Sequence, residues 1–195
     1  MAIRSRTETK LLDAADELFF TAGIHATPID AVLERAGVSA ATLYRGYASK
    51  EALVAAALER RHRAWIELWD AEIAKHRDDE QQLLAVFDAL DAFRQQPLGS
   101  RWCAFLGASA EYADAPAEVR AAVQTDTESL RSRLTHLASP FDESASLAEE
   151  LLLLVTGYLA MRLRDERYST ATARRMASGL IRAATTEPDS RRDSA

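Results

Sequence analysis

A chain of 195 residues with 30 acidic and 24 basic side chains can hold one large domain or two small ones, and its net charge is −6. Its single cysteine, Cys103, excludes an intrachain disulfide and suits a reducing cytoplasm. No apolar run approaches the roughly 20 residues needed to span a bilayer, and the opening Met1-Ala2-Ile3-Arg4-Ser5-Arg6 lacks a secretory pattern.

The seven glycines and five prolines fall between segments of helical period, so the chain reads as all-α, with about nine helices and no alternating strand pattern. Ser5-Arg6-Thr7-Glu8 has the form of a capping box. Leu11, Leu12, Ala15, Leu18, Phe19 and Ala22 then make an apolar stripe that stops at Gly23. Thr27-Pro28-Ile29-Asp30 opens a second helix, with Thr27 as N-cap, Pro28 at the first helical position and Asp30 reaching back. Ile29, Val32, Leu33 and Ala36 give that helix one buried face, and Gly37 ends it in the left-handed region. Ser39 caps a third helix two residues later. Ser49 caps a fourth, which carries Lys50 in its first turn. Helix, four-residue turn with Gly, helix is the layout of a helix-turn-helix whose second helix touches DNA.

These residues carry a family resemblance. Residues 4–58, with the Thr42-Leu43-Tyr44 triplet and the Ser49-Lys50-Glu51 restart, resemble the N-terminal domain of the tetracycline-repressor (TetR) family without a gap. The resemblance implies a reading domain over 4–64, a ligand-binding and dimerisation domain over 65–186, and a tail of 187–195 too poor in apolar residues to order. It places Ser39, Ala40, Ala41 and Thr42 at the groove-facing start of the third helix. Tyr44 and Arg45 lie beside phosphates or base edges, Tyr47 takes the place of a usual Phe, and Lys50 meets a phosphate. Leu43 is the core anchor. The family often has Lys or Arg at Ala40 and Gly at Ala41, so readout here would use methyl contacts and Thr42. Gly46 stands where an aromatic or His commonly follows Arg45. The acidic balance does not oppose DNA binding, because Arg4, Arg6, Lys10, Arg45 and Lys50 gather near the reader.

Beyond the reader, periodicity predicts helices over about 50–77, 79–95, 100–113, 116–138, 143–166 and 170–185. The resemblance implies a ligand pocket among them. His62, Trp65, Trp69, Phe87, Trp102, Cys103, Phe105 and Tyr112 are its candidate lining, against the plainer reading that these residues are core. Leu151–Val155 is apolar all round, and with Gly157 and Ala160 it suggests burial against a second copy. Glu59 and His62 have the Glu-x-x-His spacing of di-iron bundles, but His76 and His136 have no Glu three residues earlier, so neither a metal nor another cofactor is assigned. No catalytic serine elbow or phosphate-cradling loop is present, so no catalytic residue is assigned. The resulting expectation is a cytoplasmic homodimeric repressor, not an enzyme and not in a membrane, released from a palindromic double-stranded DNA operator by a small-molecule effector. The alternatives are an activator of the same family, or an all-helical metabolite-binding protein or enzyme.

Overall fold

A computed structural model describes residues 5–96, 99 and 103–185. The described residues form α1 (Ser5–Ala22), α2 (Ile29–Ala36), α3 (Ala40–Leu43), α4 (Lys50–Ile73), α5 (Asp79–Arg94), α6 (Ala104–Glu111), α7 (Ala117–Ala138), α8 (Ser144–Arg164) and α9 (Ala171–Thr185), with no strand among them.

The first three helices and the start of α4 pack around Leu11, Phe19, Phe20, Val32, Leu43, Leu53 and Leu58. The stripes that the periodicity marks are the buried faces. A second core gathers Trp69 near the end of α4 with Leu83 and Phe87 of α5, Leu134 of α7, Leu151 and Val155 of α8, and Ala177 and Ile181 of α9. At about 36 Å, the 24-residue α4 reaches from one core to the other. Ala104 and Ala108 of α6, with Val119 and Ala122 of α7, join the N-terminal core rather than the second one. The ligand-side helices thus grip the reader directly.

Several boundaries move from their expected places. Thr27 does not cap α2. Pro28 takes the N-cap position with φ −70° and ψ 148°, and the Thr27 hydroxyl turns back to the end of α1, 2.7 Å from the Gly23 carbonyl and 3.2 Å from that of Leu18. A hydroxyl buried under the turn contributes more by satisfying those unpaired carbonyls than by capping the next helix. The Glu8 carboxylate accepts a hydrogen bond from the Tyr47 hydroxyl at 3.3 Å. α4 stops at Ile73 rather than near 77, because Asp78 caps α5 by accepting from the Gln81 N–H at 2.9 Å. α6 is shorter than 100–113. Arg4, Arg101, Trp102 and the tail 187–195 lie outside the described residues.

α8 also differs from its sequence reading. Its 21 residues reach a mean hydropathy of 1.3, enough by length and composition to cross a membrane. The same composition belongs to a core helix, and Leu147, Leu151, Val155 and Tyr158 are buried within the domain. Its other side exposes Leu153, at 72%.

Candidate DNA-reading face and ligand cavity

The turn between α2 and α3 is set by backbone chemistry. Gly37 sits at φ +66°, in the left-handed region that favours glycine. Its N–H donates to Glu34 O at 3.1 Å, and the Val38 N–H donates to Leu33 O at 3.1 Å. Together these make a Schellman closure. Ser39 Oγ then accepts the Thr42 N–H at 3.3 Å and lies 3.0 Å from the Thr42 hydroxyl. Leu43 is fully buried and anchors α3, while Ser39, Ala40, Ala41 and Arg45 are exposed and Tyr44 is 54% exposed. The expected reading residues therefore share an open face, apart from the half-buried Thr42, Tyr47 and Lys50. Burial, with the Glu8 carboxylate adding to it, pushes the Tyr47 hydroxyl up to about 12, so it stays a neutral donor. Lys50 Nζ lies 5.6 Å from the centre of the Phe19 ring, a cation–π contact that steadies it at the start of α4. Arg35 is ion-paired with Glu17 at 2.7 Å, whereas Arg45 makes no ion pair among the described residues.

A second site opens between α4, α5, α6, α7 and α8. It is a cavity of about 630 Å³ counting its mouth, within the range of small-molecule sites. Trp65, Phe93, Phe105, Leu130, Val155 and Leu159 supply apolar walls. Arg61, Arg94, Arg162 and Asp126 supply the charge. Of the expected lining residues, Trp65, Cys103 and Phe105 are brought together here. Trp69 and Phe87 are fully buried in the second core and do not line the cavity. Trp69 instead lies 5.5 Å from Trp65, centre to centre. Tyr112 belongs to the N-terminal core, its ring 4.6 Å from that of His25. His62 stands behind the wall, its Nδ1 2.9 Å from Asp126 Oδ1. Cys103 is the N-cap residue of α6, and burial pushes its thiol up, away from a reactive thiolate.

The arginines were missed by sequence reasoning, yet a signal existed. Arg61 continues the buried positions Val54, Ala57 and Leu58 of α4, and Arg162 continues Leu151, Val155 and Tyr158 of α8. A charge on a buried stripe needs a partner or a purpose. Arg61 is 4% exposed, and its Nη1 donates to Asp16 Oδ1 of α1 at 2.8 Å. Asp16 also accepts from Arg60, which reaches Asp13 at 2.7 Å as well. The Arg61 guanidinium lies 5.3 Å from the Phe20 ring centre and 5.8 Å from that of Phe93. Burial pushes it below the ordinary arginine range and Asp16 opposes that shift, so it stays a cation.

A second bridge was equally invisible. Glu111, at the end of α6, accepts the Ile24 N–H at 2.9 Å and the His25 N–H at 2.8 Å, tying α6 to the turn after α1. His25 Nδ1 lies 3.5 Å from the same carboxylate.

A small tri-helical reader joined by shared helices to a helical body with a cavity defines a DNA-binding transcriptional regulator rather than an enzyme. The pattern describing bacterial regulatory proteins of the tetR family matches residues 11–57. The HTH-type transcriptional activator FasR of Mycolicibacterium smegmatis is 29% identical over 166 residues, 85% of this chain and 73% of that protein. The crystal structure of SCO4454, a TetR-family transcriptional regulator from Streptomyces coelicolor, superposes with a TM-score of 0.84 at 28% identity, over 94% of this chain and 98% of that one. A regulator from Streptomyces avermitilis, at 23% identity and a TM-score of 0.77, shares the fold over 91% of this chain and 97% of its own. The chain belongs to the TetR family of transcriptional regulators.

Proposed function

We propose that this regulator is a cytoplasmic homodimeric repressor that leaves a palindromic operator when a small molecule fills the cavity. The observation that carries this reading is that cavity and reader share α4 and α6. Trp65 and Phe105 line the cavity, while Leu53 and Leu58 of α4 and Ala104 and Ala108 of α6 lie in the reader's core. Displacing either helix displaces the reader. On this proposal the reader spans 4–64 and the ligand and dimer body 65–186. Ser39, Ala40, Ala41, Thr42, Tyr44, Arg45, Tyr47 and Lys50 face DNA, and Trp65, Cys103 and Phe105 face the ligand.

Two features support the dimer. Leu153, Gly157, Ala160 and Met161 follow a helical period along the exposed side of α8, and Met176 is exposed on α9. A Cβ added at Gly157 or Gly179 would meet nothing within 4 Å. The single chain thus gives no packing reason for a mid-helix glycine, which costs about 0.5–1 kcal/mol relative to Ala. Close approach of a second copy supplies one. Two readers must then sit roughly 34–36 Å apart, or a multiple of that, to enter successive grooves, so a small tilt of α4 spoils the fit.

Gel-shift against the DNA upstream of its own gene is the direct test, with in vitro transcription from that promoter to give the sign of regulation. Retardation with lowered transcription is the expected result. The 29% identity to an activator favours the second reading, in which the same binding raises transcription.

A further inference from the structure

The cavity's charge is lopsided. Three guanidiniums, Arg61, Arg94 and Arg162, face it against one carboxylate, Asp126, which lies 2.9 Å from His62. Arg162 is 7% exposed. Arg94 donates to the Glu166 carbonyl at 2.6 Å, a neutral acceptor that leaves its charge uncompensated by that bond. The remaining walls are aromatic and aliphatic. The N-terminal end of α6, at Cys103 and Ala104, borders the same space and adds the positive end of its dipole. A low-dielectric site with excess positive charge and apolar walls favours an anion carried on an apolar body.

Arg61 gives this charge a second role. The guanidinium that lines the cavity is also the one that holds Asp16 of α1, with both residues almost fully buried. An anion arriving in the cavity therefore competes with Asp16 for Arg61. Asp16 keeps Arg60, so α1 loosens without leaving a carboxylate unpaired in the core.

We infer that the effector is an amphipathic organic anion, a carboxylate or sulfonate on an apolar body, and that Arg61 relays its arrival to the reader by giving up Asp16. This rests on the reading of the chain as a ligand-responsive regulator.

Anilinonaphthalene sulfonate and its uncharged counterpart N-phenylnaphthylamine share an apolar body and differ in the anion, so the full-length protein can be titrated with each by fluorescence. The sulfonate should bind one per chain, about tenfold more tightly than the neutral compound. Arg94→Gln, at an exposed position, should remove most of that difference while changing binding of the neutral compound less than about twofold. Asp16→Asn should tighten the sulfonate severalfold by removing its competitor, a gain that a purely structural Asp16 would not give. Where that variant folds poorly, hydrogen exchange on the parent protein reads the relay. Bound sulfonate should speed exchange of α1 amides around Asp16 and leave those of α9 unchanged. Equal affinity for the two compounds, or equal effects of Arg94→Gln on both, overturns the anionic class. Sulfonate binding with α1 exchange unchanged overturns the relay. If the sulfonate binds selectively and loosens α1 while operator DNA stays bound at saturation, the release reading fails and the anion site stands.

Discussion

At the scale of single residues, Arg45 and Lys50 differ in how the fold holds them. Arg45 is exposed and makes no ion pair among the described residues, whereas Lys50 rests near the Phe19 ring. Arg45→Ala should weaken operator binding and change stability by less than about 0.5 kcal/mol. Lys50→Ala should lower the slope of log affinity against log salt by about one unit, through one lost phosphate contact. Fluorescence anisotropy across a salt series, with thermal melts alongside, measures both effects. Parent-like affinity in both variants would move the reading face elsewhere. Tyr47 carries a pH signature. Its ionisation is raised in the fold, so the stability it contributes is complete below about 10, the ordinary tyrosine value. That stability is lost as the pH climbs towards about 12. The difference in unfolding free energy between the parent and Tyr47→Phe should stay level up to about pH 10 and then shrink.

Between elements, the reader is fastened to the ligand body by carboxylates. Glu111 of α6 holds two backbone N–H groups of the turn after α1, and Asp16 of α1 holds Arg60 and Arg61 of α4. Glu111→Ala leaves Ile24 N–H, which is part-buried, without its acceptor. We expect a loss of about 1–2 kcal/mol, read by urea unfolding. Hydrogen exchange should rise in residues 23–27 and not in α9. Stability unchanged within error would show that water replaces the carboxylate at no cost.

For the whole molecule, the dimer decides whether two readers can act together. Gly157→Leu adds bulk where a Cβ meets nothing within its own chain. The monomer fold should persist, with unchanged far-UV circular dichroism. Sedimentation at micromolar concentration should shift from twice the chain mass to one, and operator binding should fall with it. A Gly157→Leu protein that still sediments as a dimer would place the interface on another face.

The reader's elements were legible because their cues are local. Gly37 in the left-handed region, the Ser39 and Ser49 caps and the stripe from Leu11 to Phe19 depend on neighbours within one or two turns. Helix order and type in the rest of the chain followed from 3.6-residue periodicity for the same reason. What periodicity could not decide was the use of each buried position. Trp65 and Trp69 lie one turn apart on α4, yet Trp65 lines the cavity and Trp69 fills the second core, because only the placement of α5 and α8 distinguishes them. Thr27 carries a good capping residue's chemistry, but the close return of α1 gave its hydroxyl a different acceptor. The Asp16–Arg61 and Glu111–Ile24 pairs join residues 45 and 87 positions apart, so no window along the chain contains both partners. The sequence by itself determined the helices, the reading motif and the class of protein, because those rest on short-range backbone and side-chain preferences. The tertiary structure alone decided which apolar residues enclose space, where the arginines gather and how that space is tied to the reader, because burial and pairing are set by which helices meet.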